Sequence, residues 1–170
     1  IITISDLNIS TKYNTLNYSI TIDDIQNPQM QLPFTLLSGK VANNQIDYTL
    51  QLKDNKDKER YFLAGNVKTS QGNTLLHLDK NVLLNYENWQ IPENNQIVST
   101  PKGLIISDFK LEHEGRSISV QSQTPNANAP IALAFENFDI QTISSMVEKD
   151  DWQMSGKING TAVVKNIATQ

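Results

Sequence analysis

Apolar and polar residues alternate along most of this chain. Leu16, Tyr18, Ile20 and Ile22 are separated by Asn17, Ser19 and Thr21, and Ile46, Tyr48, Leu50 and Leu52 by Asp47, Thr49 and Gln51; Tyr61, Leu63, Gly65 and Val67 repeat the pattern after a break. Successive side chains of a strand point to opposite faces, so each run reads as a strand with one wet and one dry face. Short stretches rich in turn formers separate the runs: ANNQ at 42–45, DNKDKER at 54–60, SQGN at 70–73, HEGR at 113–116 and TPNANAP at 124–130. Strands joined so closely return antiparallel, and the pattern predicts an all-β chain of consecutive hairpins.

Alternation is longest toward the C-terminal end. Trp152, Met154, Gly156, Ile158, Gly160, Ala162 and Val164 take every second position, and the residues between them are polar except Val163. This predicts a strand of about 13 residues, roughly 43 Å long at 3.3 Å per residue. Gly156 and Gly160 are where such a strand can bend. Just before it, Ile131, Leu133 and Phe135 still alternate, and then Ile140, Ile143, Met146 and Val147 fall at helical spacing. A short helix near 140–148 is expected there, an accessory to the sheet. Trp89 and Phe138 stand outside the plain alternating runs and are expected to pack in a core or to cap an open end. The chain reads as a single β-rich unit over 1–170, divisible into a β-meander over 1–100 and a hairpin, short helix and long strand over 101–170.

Composition narrows the picture. With 170 residues and 38% hydrophobic content the chain can bury one good core. Only 19% of residues are charged, and Asn, Gln, Ser and Thr supply much of the polarity, which suits solvated strand faces. The net charge of −4, with no cluster of Lys and Arg, lacks the electrostatic footprint of a nucleic-acid binder. Cysteine is absent, which excludes disulfides, zinc–thiolate sites and thiol catalysis and fits an oxidising compartment without establishing one. No run reaches the ~18 apolar residues of a helical membrane span. The opening IITISDLNIS also lacks the basic start and continuous apolar core of a signal peptide. Because the text is strand-like at both ends, the chain is expected to be an internal piece of a longer one.

Candidate chemistry is sparse. Glu112, His113 and Glu114 would alternate faces on a strand and cannot converge on one ion, and Gly115 and Arg116 follow in an evident turn. His77, between Leu76 and Leu78, has no second ligand at a recognisable spacing and is expected to be a histidine satisfied by a partner. Asp150 and Asp151 precede Trp152, but adjacent residues point apart, whereas glycosidase carboxylates come from separate elements. Gly156 and Gly160 form a G-x-x-x-G pair in text of period two, interrupted by Lys157 and Asn159, so the membrane-helix reading fails. Asn8, Asn17 and Asn159 open N-x-[ST] triplets of the kind an Asn-rich chain produces by chance. No phosphate loop, nucleophile elbow or zinc-binding helix motif occurs. The sequence is therefore read as a non-enzyme without a cofactor.

The order of features over 81–166 is more specific. NVLLNYENWQIPENNQIV is followed by KGLIISDFKLEHEGRSISVQSQ, then IALAFENFDIQTISSMV, then WQMSGKINGTAVVKN. A tryptophan-bearing strand, a hairpin, an L-x-F-x-N-F-D-I strand running into a short helix, and a G-x-I-N-G strand in this order resemble a repeat unit of the TamB family of translocation and assembly module proteins, within the AsmA-like group. Upstream, LSGKVANNQIDYTLQLKDNKDKERYFLAGNV is similar to the β-repeats preceding that unit. The resemblance covers most of residues 34–166 and includes no catalytic signature. It implies a periplasmic segment of a Gram-negative envelope protein anchored in the inner membrane, folded as a curved, elongated antiparallel sheet or open, taco-like groove. It further implies phospholipid acyl chains as cargo between the two membranes, and an outer-membrane barrel assembly partner met through parts of the parent chain not present here.

On that reading Ile131, Leu133, Phe135, Trp152, Met154, Ile158, Ala162 and Val164 are candidates for the groove lining, each of which could equally fill an ordinary closed core. The competing reading is a closed β-sandwich of a surface or secreted protein that binds a sugar or a protein through loops such as 124–130. Its loops are plain Asn, Lys and Pro, however, and the aromatics sit mainly inside strands.

Overall fold

The computed structural model describes residues 2–27, 30–32, 34–141 and 155–165. Among them the chain is all-β, with fifteen strands in one antiparallel sheet that does not close into a barrel. β1 (Ile2–Lys12) and β2 (Thr15–Asn27) form the first hairpin, and the short β3 (Met30–Leu32) adds to the far end of β2. β4 (Phe34–Ala42), β5 (Gln45–Lys53) and β6 (Glu59–Ser70) continue the meander.

The two-residue turns of these hairpins have a common geometry. Tyr13 and Asn14, Asn43 and Asn44, Gln71 and Gly72, Asn85 and Tyr86, and Glu114 and Gly115 all have φ between 46° and 77°. Positive φ at both central residues is the type I′ turn, whose twist matches that of paired strands and which Asn and Gly adopt at least cost. Glu114 takes this conformation with no such aptitude. Glu114→Asn is expected to stabilise the protein by about 0.5 kcal/mol, seen as a higher urea midpoint at unchanged slope; a lower midpoint would mean the glutamate does something else at that turn.

After β6 the sheet forks. The C-terminal half of β6 pairs with β7 (Asn73–Leu78), which leads to β10 (Gln96–Thr100) and β11 (Gly103–Ser107). Its N-terminal half pairs at Tyr61 and Phe62 with β8 (Asn81–Leu84). From β8 the main path runs through β9 (Glu87–Gln90), β12 (Phe109–His113), β13 (Arg116–Ser122) and β14 (Ile131–Asp139) to β15 (Lys157–Val164). The two branches curve back toward each other. β11 comes to lie beside β13, where the Ile106 N–H donates to Ser122 Oγ at 2.9 Å, a side-chain link in place of a ladder.

The space between the branches holds the core. Val82, Trp89, Ile91 and Phe138 are each no more than 3% exposed and pack with Leu63, Leu78, Leu84, Phe109, Leu111, Ile118 and Phe135. Of the two roles open to Trp89 and Phe138, core packing is the one they take: both lie at its centre with ring centroids 5.9 Å apart. A bulge in β14 aims Phe138 inward. Phe135 faces Gly160 and Phe138 faces Ile158, so Glu136 and Asn137 stand opposite Asn159 alone, and the Asn137 N–H donates to Asn159 Oδ1 at 2.7 Å.

One expectation is corrected. The long C-terminal strand begins at Lys157, because Ser155 and Gly156 lie outside the ladder. Gly156 instead stands in the bend at the strand's foot, its carbonyl accepting from the Ile140 N–H at 3.0 Å. Of the helix expected near 140–148, Ile140 and Gln141 have helical backbone, with Asp139 Oδ1 accepting the Gln141 N–H at 3.0 Å as an N-cap does. The rest of that helix lies outside the described residues, as do Trp152 and Met154. No helix among the described residues is long and apolar enough to cross a membrane.

Candidate functional site

The ladder registers sort side chains into rows across the sheet, because residues directly opposite each other share a face. One row is Leu7, Ile20, Leu37, Leu50 and Leu63, apolar at every position. On one side of it run Ile9, Tyr18, Gly39, Tyr48, Gly65 and Leu78. Beyond these come Leu16, Val41, Ile46, Val67, Leu76, Ile97 and Ile106. On the other side of the all-apolar row lie Ile4, Ile22, Thr35, Leu52, Tyr61 and Leu84. The reverse face carries Asn8, Ser19, Ser38, Thr49 and Ala64, and beside them Ser10, Asn17, Lys40, Asp47, Asn66 and His77. One face is apolar four rows deep, whereas the reverse face is polar in these two rows and mixed in the next, Thr21, Leu36, Gln51, Phe62 and Leu83.

The alternation of tyrosine and glycine in the second row has a steric cause. Tyr18 reaches across Gly39 to donate its hydroxyl to the Asp47 carbonyl at 3.1 Å. A Cβ on Gly39 would stand 2.8 Å from that hydroxyl and collide with the same carbonyl; one on Gly65 would collide with the His77 carbonyl. Burial pushes the Tyr48 hydroxyl up from its ordinary pKa, and Asp79 and then Tyr18 add to the shift. Burial, with Asp47 second, does the same to Tyr18.

The apolar face continues across the second branch. Val82 stands opposite Trp89; Leu111, Ile118, Phe135 and Gly160 form one row, and Phe109, Val120, Leu133 and Ala162 the next. Ser122, Ile131 and Val164 follow. The described lining candidates therefore come together on β14 and β15, with Ile131 opposite Val164, Leu133 opposite Ala162 and Ile158 opposite Phe138. Their exposure differs. Ile131 is buried, Leu133, Phe135 and Ile158 are half-buried, and Ala162 and Val164 are exposed.

The face is covered in the middle and open at its ends. Around Trp89 the two branches enclose it, while on β1 Ile4, Leu7 and Ile9 are 57–61% exposed. The β1–β6 part of the face was absent from the candidate lining. Its signal was present in the runs 16–22, 46–52 and 61–67, but period alone does not say that their dry faces align.

Polar groups that border this face are held by structural partners. Arg116 Nη2 donates to Glu87 Oε1 at 2.9 Å with its guanidinium 5.6 Å from the Trp89 ring, and His113 donates Nδ1–H to the Asn88 carbonyl at 2.7 Å. His77 likewise donates Nδ1–H to the Asn95 carbonyl at 2.9 Å, a partner such as was expected of it. Glu112 pairs with Gln90 on the reverse face while His113 stacks 5.4 Å from Trp89 on the apolar one, with its Nε2 3.8 Å from Glu114 Oε2, so it is Glu112 that keeps the Glu-His-Glu triplet from converging. A cleft of about 540 Å³ is bordered by Lys110, Ser117 and Glu136 as well as by Phe109 and Phe135; Lys110 pairs with Glu112 at 2.6 Å, and Ser117 donates to Glu136 at 3.1 Å. Set against known protein families, curated proteins and solved structures, the chain matches none of them.

Proposed function

We propose that this chain is a periplasmic segment of a TamB-like, AsmA-like envelope protein, and that its apolar face is a wall along which phospholipid acyl chains pass between the inner and outer membranes in outer-membrane biogenesis. The observation that carries the reading is a continuous apolar face, four rows deep, left open on β1. An acyl chain needs only such a surface, since each CH₂ gains roughly 0.8 kcal/mol on leaving water and asks for no hydrogen bond. A closed sandwich binding module would account for the core around Trp89 but requires the β1–β2 face to be covered, and there Leu7 and Ile9 stand open.

The test is photo-crosslinking in the full-length protein in cells, with a photoreactive residue at Ile9, Ile158 or Ala162 and, as controls, at Asn8, Asn159 or Thr161. Phospholipid adducts are expected from the first set and not the second. Equal labelling of both sets, or no lipid from folded protein, would remove the conduit and favour the binding module.

A further inference from the structure

The cleft of about 540 Å³ on β12–β15 plays no part in the lipid reading. The registers set Lys110, Ser119, Ala134 and Thr161 in one row, with Ser117 opposite Glu136 beside it. These residues alternate along their strands with the apolar rows of Phe109 and Leu111, so their side chains stand on the reverse face of the sheet. The row is low in the middle, where Ser119 meets Ala134, and higher at Lys110. A wall comes from the connection before β10. Asp108 turns the chain between β11 and β12 with φ of 52°, and its Oδ2 accepts from Asn94 Nδ2 at 2.6 Å, which holds the segment bearing Pro92 beside the start of β12. Because the cleft lies on the face of the sheet, strands added at either edge would neither make nor fill it.

The charges around the cleft are already engaged. Lys110, the one cation bordering it among the described residues, pairs with Glu112 at 2.6 Å and lies 4.0 Å from Glu136. Ser117, 6% exposed, donates to Glu136 at 3.1 Å. An anionic ligand would meet two carboxylates beside the lysine, and a cationic one would meet the lysine between them. Ser119, Gln121 and Thr161, by contrast, make no side-chain hydrogen bond among the described residues. Hydroxyls and primary amides both donate and accept, so they can pair with a ligand hydroxyl in either sense, whereas a carboxylate only accepts and an ammonium only donates. Pro92, Phe109 and Phe135 add carbon surface to the border, and the volume falls within the roughly 300–1,000 Å³ of small-molecule sites.

We propose that this cleft binds a neutral saccharide, whose hydroxyls are taken by Ser119, Gln121 and Thr161 while its carbon skeleton rests against Pro92. The inference is independent of the lipid reading, which concerns the opposite face.

The test is an NMR titration of the 170-residue chain with maltotriose, cellotriose and tri-N-acetylchitotriose, each taken to tens of millimolar. At least one of them should give saturable shifts centred on the amides of Ser119, Gln121, Ala134 and Thr161, with an affinity that high salt leaves unchanged. Ser119→Ala and Gln121→Ala should each weaken that binding about fivefold. Ala134→Leu, which fills the floor, should abolish it, and Ser19→Ala, on the same face of β2, should leave it as it is. Circular dichroism checks the fold of each variant, and if Ala134→Leu does not fold, the two alanine variants at the cleft decide. Absence of saturable shifts with all of these sugars, shifts centred elsewhere, alanine variants that bind as the parent does, or tighter binding of the cationic glucosamine or the anionic gluconate would each overturn the proposal.

Discussion

Replacing Trp89 by alanine is expected to lower the unfolding free energy by about 3–5 kcal/mol, the usual loss for a large aromatic removed from a closed core. Trp89 is 1% exposed and lies at the centre of the core cluster. It meets Val82 on β8, His113 at the end of β12 and Phe138 beyond the β14 bulge. The indole Nε1 has no hydrogen-bond partner among the described residues. Trp89→Phe should therefore cost much less, about 1–2 kcal/mol of lost volume and packing. Leu7→Ala on the open part of the same face should cost under ~1 kcal/mol, because little of that side chain is buried. Urea denaturation followed by circular dichroism measures all three. Equal losses for Trp89→Ala and Leu7→Ala would mean that the face is covered throughout in solution.

Asn95 is expected to be nearly as sensitive, for a polar reason. It is 1% exposed and clamps the segment between β9 and β10 onto β7. Its Nδ2 donates to the Leu78 and Pro92 carbonyls, both at 2.7 Å, and its Oδ1 accepts the Leu78 N–H at 3.0 Å. Asn95→Ala leaves a buried donor and acceptor of Leu78 without their partner, a loss of about 2–4 kcal/mol. Asn95→Asp should be worse at neutral pH, since an ionised carboxylate would point acceptors at two carbonyl oxygens. That environment raises the pKa of the introduced carboxyl in the folded state above its unfolded value. Stability of the variant should then recover as pH falls through the raised pKa and be lost as it rises. If the aspartate variant instead gains stability with rising pH, the amide of Asn95 is oriented the other way.

The hairpins were legible because their signals are local. A two-residue period and a two-residue turn each need only a handful of neighbours, and ANNQ, SQGN and HEGR mark the type I′ turns at Asn43, Gln71 and Glu114. The C-terminal strand was drawn too long because its alternation persists through Ser155 and Gly156, where the backbone leaves the ladder. Period records where side chains would point in a strand and does not report where the partner strand ends. The core role of Trp89 was legible from size, but the clamp made by Asn95 was not, since an asparagine in PENNQ reads as one more loop residue.

The sequence by itself determined an all-β chain of antiparallel hairpins, with one dry face to each strand, and the identity of the residues on that face. Tertiary structure alone decided how these faces combine. Whether Ile131 is 3% exposed and Val164, directly across the ladder, is 42% exposed depends on which strands curl over them. That is set by the fork at β6, where Gly65 pairs with Leu78 and Tyr61 with Leu84 on the same side of one strand. Alternation is a property of each strand separately, whereas enclosure requires contacts between strands far apart in the chain, and no local period encodes which of them meet.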